Sequence, residues 1–370
     1  MNPRITMLKF LQKYKNFKCD VRFAHNVMHY CAMWSLCSNV QPSANAQSAH
    51  IPQSGTFRPT GESHFAIANH IFSYFCTMKT SSNLVRDCRR HYASELENIY
   101  DSDEANALIM ILLEHYFGID RVKIAMDLEL RLSESELLIL HFAVKELLKN
   151  KPVQYILGET EFCGMRFFVD ENVLIPRPET EELVNKLVSC SVNQLHSYPS
   201  FRILDIGTGS GCIAISLAKL LKNSIVTAVD VSEKALKVAK KNAETNGVNV
   251  NFIKDDILNS KNQELIDNQF DIIVSNPPYV CESEKTEMRA NVLDYEPSTA
   301  LFVSDNDPLI FYRKILEFAS KTLKPDGEVW FEINEKFGNE MKNLCHEMGF
   351  KNMEIIKDFR ERDRILRASL

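Results

Sequence analysis

The sequence lacks every cysteine pattern that would mark a metal site or a disulfide scaffold. Its ten cysteines (Cys19, Cys31, Cys37, Cys76, Cys88, Cys163, Cys190, Cys212, Cys281 and Cys345) contain no CxxC pair, and none clusters with histidine at zinc spacing. In a chain of 370 residues, thiols scattered in this way are expected to stay reduced, as in an intracellular protein, and no metal is expected. Long apolar runs are absent too. The longest unbroken aliphatic stretch is LIMILL at 108–113, far short of the ~20 residues that span a bilayer. No membrane association is expected. Near the start, no clean apolar segment precedes a small-residue cleavage site, which argues against a secretory signal.

Acids are nearly missing from the beginning of the chain. Residues 1–61 hold seven Lys/Arg against one acid, Asp20, a balance of +6. The whole chain carries −6, so residues 62–370 carry −12. An acidic body disfavours tight non-specific binding to nucleic acid, which rests on neutralising phosphates. A small molecule or a protein remains open as substrate.

Composition divides the chain further. Residues 1–77 hold five of the ten histidines and four of the ten cysteines, and 39–63 are Ser/Pro/Gln/Ala-rich without an apolar period. This extension is expected to be disordered. It reads either as a mitochondrial transit segment or as a non-native start upstream of Met78, so the expected compartment is cytoplasmic, with mitochondrial as the alternative. Residues 78–150 read as a helical bundle, with Gly118 closing one helix and Ser133 and Glu136 forming a capping box. Its balance of −4, nine basic against thirteen acidic residues, suits gripping a protein partner better than a nucleic acid. His115 and His141 lie inside helices and read as packing or surface residues. Residues 151–178 read as a β-hairpin linker turning near Gly164, and a helix is expected from Glu179.

From 200 onward strands and helices alternate. Strands are expected at 201–207, 224–232, 250–258, 270–275 and 328–333, with a final pair at 352–359 and 363–369. Helices are expected at 212–222, 232–247, 307–327 and 334–350. Such alternation implies an α/β fold built on a mostly parallel, doubly wound sheet, here over 179–370.

Four strand ends carry chemistry. In LDIGTGSGCIAISLA (204–218) a strand delivers Gly207, Thr208, Gly209, Ser210 and Gly211 into a tight turn before a helix. Glycines there admit positive φ and let a ligand approach the backbone. The spacing is GxGxG, without the third glycine of the dinucleotide fingerprint. That favours the amino-acid and ribose part of S-adenosylmethionine over a pyrophosphate. Asp230 ends the second strand, where a carboxylate can accept both ribose hydroxyls; otherwise it caps the next helix. Asp256 ends the third strand, placed to reach an adenine amino group, with Ile257 as a cover for the ring; otherwise it is a solvated turn acid. The fourth strand ends in Asn276, Pro277, Pro278 and Tyr279. An Asn side chain and a proline carbonyl can accept both N–H bonds of a planar –NH2 group, the prolines stiffen the turn, and the tyrosine supplies a flat face. Taken alone this motif suits glutamine and adenine equally.

GxGxG on the first strand, an acid ending the second and NPPY after the fourth resemble class I S-adenosylmethionine-dependent methyltransferases acting on planar amino nitrogen. KPVQYILGETEFCGMRFFVDENVLIPRPETEELV (151–184), VSNPPYV (274–280) and YEPSTALFV (295–303) narrow the resemblance to the release factor glutamine methyltransferases, over about residues 80–370. NPPYVCESEK reads as bacterial rather than organellar. The resemblance implies a Rossmann-like domain with a seven-stranded sheet. It also implies S-adenosylmethionine as methyl donor and a release factor as protein partner, methylated on the glutamine of its GGQ motif. Carried over by motif, Gly207 to Gly211, Asp230, Asp256 and Ile257 would hold the cofactor. Asn276 to Tyr279 would hold the substrate glutamine, with Asn276 bordering the cofactor too. Glu179, Glu181 and Glu296 would shape the pocket rather than act as bases. Many relatives carry Trp after the third-strand Asp, where this chain has Ile257, which implies aliphatic packing in place of a stacked ring. A monomer without stable nucleic acid is expected. Two other readings compete: an amino methyltransferase acting on adenine or guanine in nucleic acid, and a methyltransferase fold kept as an inactive binding module. Retention of both the glycines and NPPY speaks against the second.

Overall fold

The computed structural model describes residues 82–195 and 200–370, so the extension expected at 1–77 lies outside the described residues. The described chain opens with helices whose ends are written in local sequence. α1 spans Val85–Leu96 and α2 Ser102–Phe117. Asp101 caps α2 by accepting the Glu104 N–H, and Gly118 ends it at φ 62°. α3 (Arg121–Met126) buries no residue. α4 (Glu134–Leu147) carries the expected capping box, Ser133 accepting from the Glu136 N–H while the Glu136 carboxylate accepts from the Ser133 N–H. The bundle core is therefore built from three long helices, through Tyr92, Leu96, Ile109, Leu112, Leu140 and Val144.

α5 (Val153–Leu157) leads into the hairpin of β1 (Glu159–Phe162) and β2 (Met165–Phe168). Cys163 and Gly164 between them both have positive φ, 50° and 69°. That is the two-residue turn whose twist matches a hairpin. α6 (Pro178–Leu195) starts on a proline, which lacks only a donor that a first turn leaves unused.

The main sheet contains β3 (Phe201–Ile206), β4 (Ser224–Asp230), β5 (Asn251–Lys254), β6 (Phe270–Ser275), β9 (Leu323–Glu332), β10 (Lys351–Lys357) and β11 (Asp363–Ser369). Its order is β10-β11-β9-β6-β3-β4-β5. The five strands from β9 to β5 are parallel, and β11 and β10 add antiparallel pairs at the edge. Both faces are buried, so the inner strands read as continuous apolar runs. Ile203, Ile272, Val274 and Trp330 pack on one side, against α6 and α7 (Cys212–Leu220). Leu204, Ile273 and Phe331 pack on the other, against α11 (Ile310–Thr322) and α12 (Gly338–Glu347). α8 (Glu233–Asn246) is capped by Ser232 and closed by Gly247 at φ 64°.

Several boundaries differ from the sequence expectation. The third strand stops at Lys254, because Asp255 and Asp256 side chains capture the N–H groups of Asp256 and Leu258. The helix expected to run to 327 stops at Thr322, and Leu323 is already extended (φ −76°, ψ 147°). Pro325 disfavours helical geometry at Lys324, so the chain enters β9 early. Residues 335–337 form a 3-10 turn before α12 rather than part of it. α9 (Gln263–Ile266), α10 (Ala290–Tyr295) and the parallel pair of β7 (Val280–Cys281) with β8 (Phe302–Val303) had no signal strong enough to be expected. No helix among the described residues is long and apolar enough to cross a membrane.

Candidate active site

β3 is the point where strand order reverses: the chain moves from β3 outward to β4 and β5, then returns to place β6 on the other side. In open α/β sheets ligands bind at the carboxyl ends of strands at such a point. Ile206 and Ser275 are register partners there. Gly207 and Asn276 are therefore the next residues outward on neighbouring strands. The Ser275 hydroxyl donates to the Ile206 carbonyl (2.7 Å) and ties the two ends together.

The glycine loop is open where a ligand would need it. Gly207 and Gly209 have φ of 77° and 54°, and a Cβ on either would meet nothing within 4 Å. Gly211 is different: a Cβ there would lie 2.8 Å from Ile215 Cδ1 and 3.1 Å from Ala239 Cβ. It is glycine so that α7 and α8 can pack. Thr208 and Ser210 are buried. Beneath the loop, the fully buried Asp205 accepts from Thr208 Oγ1 (2.6 Å) and the Ala214 N–H (3.2 Å), while its Oδ1 has no partner. Burial pushes its pKa up to about 7, against those two hydrogen bonds.

Asp230 closes the other side of the loop. Its Oδ2 accepts from the Gly209 N–H (2.8 Å) and its Oδ1 from the Ser232 N–H (2.8 Å). Each oxygen keeps a second lone pair for a hydroxyl. Burial raises its pKa, opposed by those two backbone donors. Asp256 is half-buried and spends its carboxylate on the Leu258 N–H and the Asn259 side chain, both at 3.0 Å. Ile257 packs with the cluster on the α11 side of the sheet. An open glycine backbone beside a half-buried carboxylate, above an orphaned buried Asp205 oxygen, fits the amino-acid and ribose part of a nucleoside cofactor.

Asn276 and Tyr279 enter a hydrogen-bond chain that sequence reading missed. Asn276 Nδ2 donates to Thr180 Oγ1 (3.0 Å), and the Thr180 hydroxyl donates to Glu332 Oε2 (2.6 Å). The Tyr279 hydroxyl donates to Glu332 Oε1 (2.7 Å). Glu332 is 1% exposed. Burial raises its pKa, opposed by the Thr180 and Tyr279 hydroxyls and by Arg364. Burial, reinforced by the Glu332 carboxylate, holds the Tyr279 hydroxyl well above its usual range. Pro277 is buried and Pro278 half-buried. A readable signal for Glu332 did exist: a carboxylate ending the otherwise apolar strand EVWFEI, beside the strand that ends in SNPPY.

The three glutamates expected to shape the pocket part company. Glu296 is buried, accepting from the Ile175 N–H (3.1 Å) and from Arg177 (2.5 Å). Glu181 accepts from the Cys163 N–H (3.0 Å) in the hairpin turn. Glu179, half-buried, lies near enough to Glu332 to repel it.

The comparisons with known proteins agree with this architecture. Residues 198–364 match a family described as "Methyltransferase domain", and residues 87–158 one described as "PrmC N-terminal domain". The "Release factor glutamine methyltransferase" of Flavobacterium psychrophilum is 46% identical over 286 residues, which is 77% of this chain and 99% of that protein. The chain belongs to the release factor glutamine methyltransferase family. A second member of the family, from Bacteroides thetaiotaomicron, is 45% identical over 74% of this chain and 96% of its own length. A methyltransferase crystal structure from Pyrococcus furiosus is similar at 22% identity and a TM-score of 0.40, over 61% of this chain and 96% of that one. Like other release factor glutamine methyltransferases, this chain has the class I methyltransferase fold and a helical amino-terminal domain, and S-adenosylmethionine is its methyl donor.

Proposed function

We propose that this chain methylates the side-chain amide nitrogen of a release-factor glutamine, the one in the GGQ motif. The observation that carries the reading is the adjacency of the open glycine loop and Asn276, one residue beyond paired positions on β3 and β6. S-adenosylmethionine, when bound, supplies an electrophilic methyl group. Gly207 to Gly211 and Asp230 would hold it, with Asp256 and Ile257 at the adenine end. Asn276 Oδ1 and the Pro277 carbonyl, neither of which has a hydrogen-bond donor among the described residues, accept the two N–H bonds of the substrate amide.

An amide nitrogen is a poor nucleophile, since its lone pair is delocalised into the carbonyl. Most of the rate must therefore come from alignment, worth up to ~7–11 kcal/mol in favourable cases. The two acceptors also stabilise the positive charge that grows on nitrogen as the N–C bond forms and the methyl–sulfur bond breaks, the electron pair leaving with the thioether sulfur of S-adenosylhomocysteine. The nitrogen's proton leaves to water afterwards, so no strong base is required. The −12 balance of residues 62–370 supports a protein substrate over nucleic acid. The helical segment, joined to the loop after NPPY by Arg289–Glu104 (3.2 Å) and by the Tyr295 hydroxyl on the Lys149 carbonyl (2.8 Å), is the proposed surface that grips the release factor.

The test uses S-adenosylmethionine with a labelled methyl group. It offers a release factor, the same factor with its GGQ glutamine replaced, and nucleic acid. Label is expected in the first alone. Label in nucleic acid, or in the substituted factor at an equal rate, overturns the proposal.

A further inference from the structure

We propose that Glu332 is a positioning residue whose carboxylate sets the direction of the hydrogen bonds through Thr180 and Tyr279, and so holds Asn276 with its amide oxygen free for the substrate. The inference rests on the reaction proposed above and adds to it a residue that does not touch the substrate. Its basis is the counting of protons along the chain Asn276–Thr180–Glu332–Tyr279.

An ionised carboxylate can only accept. Glu332 Oε2 and Oε1 must therefore receive the Thr180 and Tyr279 hydroxyl protons, at 2.6 and 2.7 Å. A threonine hydroxyl has one proton. Having given it to Glu332, Thr180 can only accept from Asn276, and it does so from Nδ2 at 3.0 Å. The Asn276 amide is thus read in one sense, with Nδ2 engaged and Oδ1 left over as an acceptor. A substrate –NH2 needs an acceptor at that place. A neutral group at 332 lifts the constraint. It can donate to Thr180, Thr180 can then donate to Asn276 Oδ1, and the amide turns to set NH2 against NH2.

The setting is built for a charge of fixed direction. Glu332 ends β9 beside the end of β6, since Ser275 pairs with Phe331. Groups from every surrounding element face it. α6 contributes Thr180 and Glu179, and the loop after β6 contributes Tyr279. α11 contributes Tyr312, whose hydroxyl donates to the Glu332 backbone carbonyl (2.9 Å), and β11 contributes Arg364. Arg364 favours the carboxylate; burial and Glu179 oppose it. Burial outweighs the Thr180 and Tyr279 hydroxyls and Arg364, so acid converts the carboxylate at a higher pH than an exposed glutamate.

The experiment compares wild type with Glu332→Gln, Thr180→Val, the double variant and Thr180→Ser. Methyl transfer to a release factor is followed across pH, and binding of S-adenosylhomocysteine is followed by calorimetry. Glu332→Gln and Thr180→Val are expected to lower kcat by ~10²–10³, the scale seen when one preorganised transition-state partner is lost. KM and the calorimetric affinity stay near wild type. The double variant falls no further than either single one, because both break the same chain. Thr180→Ser, which keeps the hydroxyl, restores the turnover that Thr180→Val loses. The acid limb of the wild-type kcat profile disappears in Glu332→Gln. Wild-type kcat in Glu332→Gln, multiplicative losses in the double variant, or a loss confined to cofactor affinity overturns the inference. If Glu332→Gln fails to fold, the contrast of Thr180→Val with Thr180→Ser decides alone. Absence of transfer by the wild type counts against the proposed reaction instead, so the two failures are distinguishable.

Discussion

Two acids flank the glycine loop, and their surroundings set them different tasks. Asp205 is sealed off, and its pKa is pushed from 3.8 up to about 7 by burial. A group raised in the folded state contributes stability that is complete below its unfolded pKa and lost as pH rises through the folded one. Urea midpoints of the wild type are accordingly expected to fall between pH about 4 and about 7 on account of this group. Asp205→Asn, which cannot ionise, should flatten that part of the curve; a curve unchanged in shape would show that Asp205 does not titrate there. Asp230 is only half-buried and its oxygens keep lone pairs for a ligand. Asp230→Ala is expected to weaken cofactor binding about tenfold or more, the scale of hydrogen bonds to a charged acceptor. Asn276→Ala is expected to abolish methyl transfer while calorimetric cofactor affinity survives. Equal losses of affinity and turnover in Asn276→Ala would contradict that division of labour. The NPPY residues and Asp230 stood out in the sequence because their neighbours announce a strand end. Thr180 gave no such signal, and Glu332, though it too closes a strand, gave none of its partners, which lie 152 and 53 residues away in the chain.

At the scale of elements, the glycine loop joins two requirements that spacing alone presents as one. Gly211 answers to packing and Gly209 to open space. Gly211→Ala would place a methyl against Ile215 and Ala239 at φ 82°, and is expected to cost ~1–3 kcal/mol in urea unfolding. Gly209→Ala meets no neighbour, so its cost should be limited to backbone strain of ~1–2 kcal/mol, with a further loss in cofactor affinity. Equal unfolding costs with equal affinities would contradict the distinction. Elements with local signals were legible: the capping box at Ser133, the Cys163–Gly164 turn, and the cap of α8 at Ser232. Those that failed did so for physical reasons. Asp255 and Asp256 compete for backbone donors and cut β5 short. β7 and β8 are two residues each, too short to show a period.

At the scale of the whole molecule, a half-buried ion pair fastens the linker to the site. Arg177, from IPRPETE, meets Glu296, from YEP, across 119 residues, and Glu296 also accepts from the Ile175 N–H. IPRPETE also carries Thr180, which meets Asn276, so the pair helps fix how the hairpin linker sits beside the site. Glu296→Ala would strand a partly covered guanidinium and an N–H, and is expected to cost about 2–4 kcal/mol in urea unfolding. A midpoint shift near zero would show that the pair closes the linker without stabilising it. The Arg289–Glu104 pair, mostly exposed, should contribute under about 1 kcal/mol.

By itself the sequence determined the parallel sheet with its helices, the hairpin, and the three strand ends where Gly207–Gly211, Asp230 and Asn276–Tyr279 stand. All of these are written in neighbouring residues, through the strand and helix periods, caps and turn glycines. Only the tertiary structure decided that Glu296 pairs with Arg177, and that Glu332 and Thr180 stand behind Asn276 and Tyr279. The packing of α6 and the connecting loops on the sheet brings these groups together over separations of up to 152 residues. Once buried, each donor must find an acceptor in whatever side chain that packing places beside it, and nothing local in the chain records that partner.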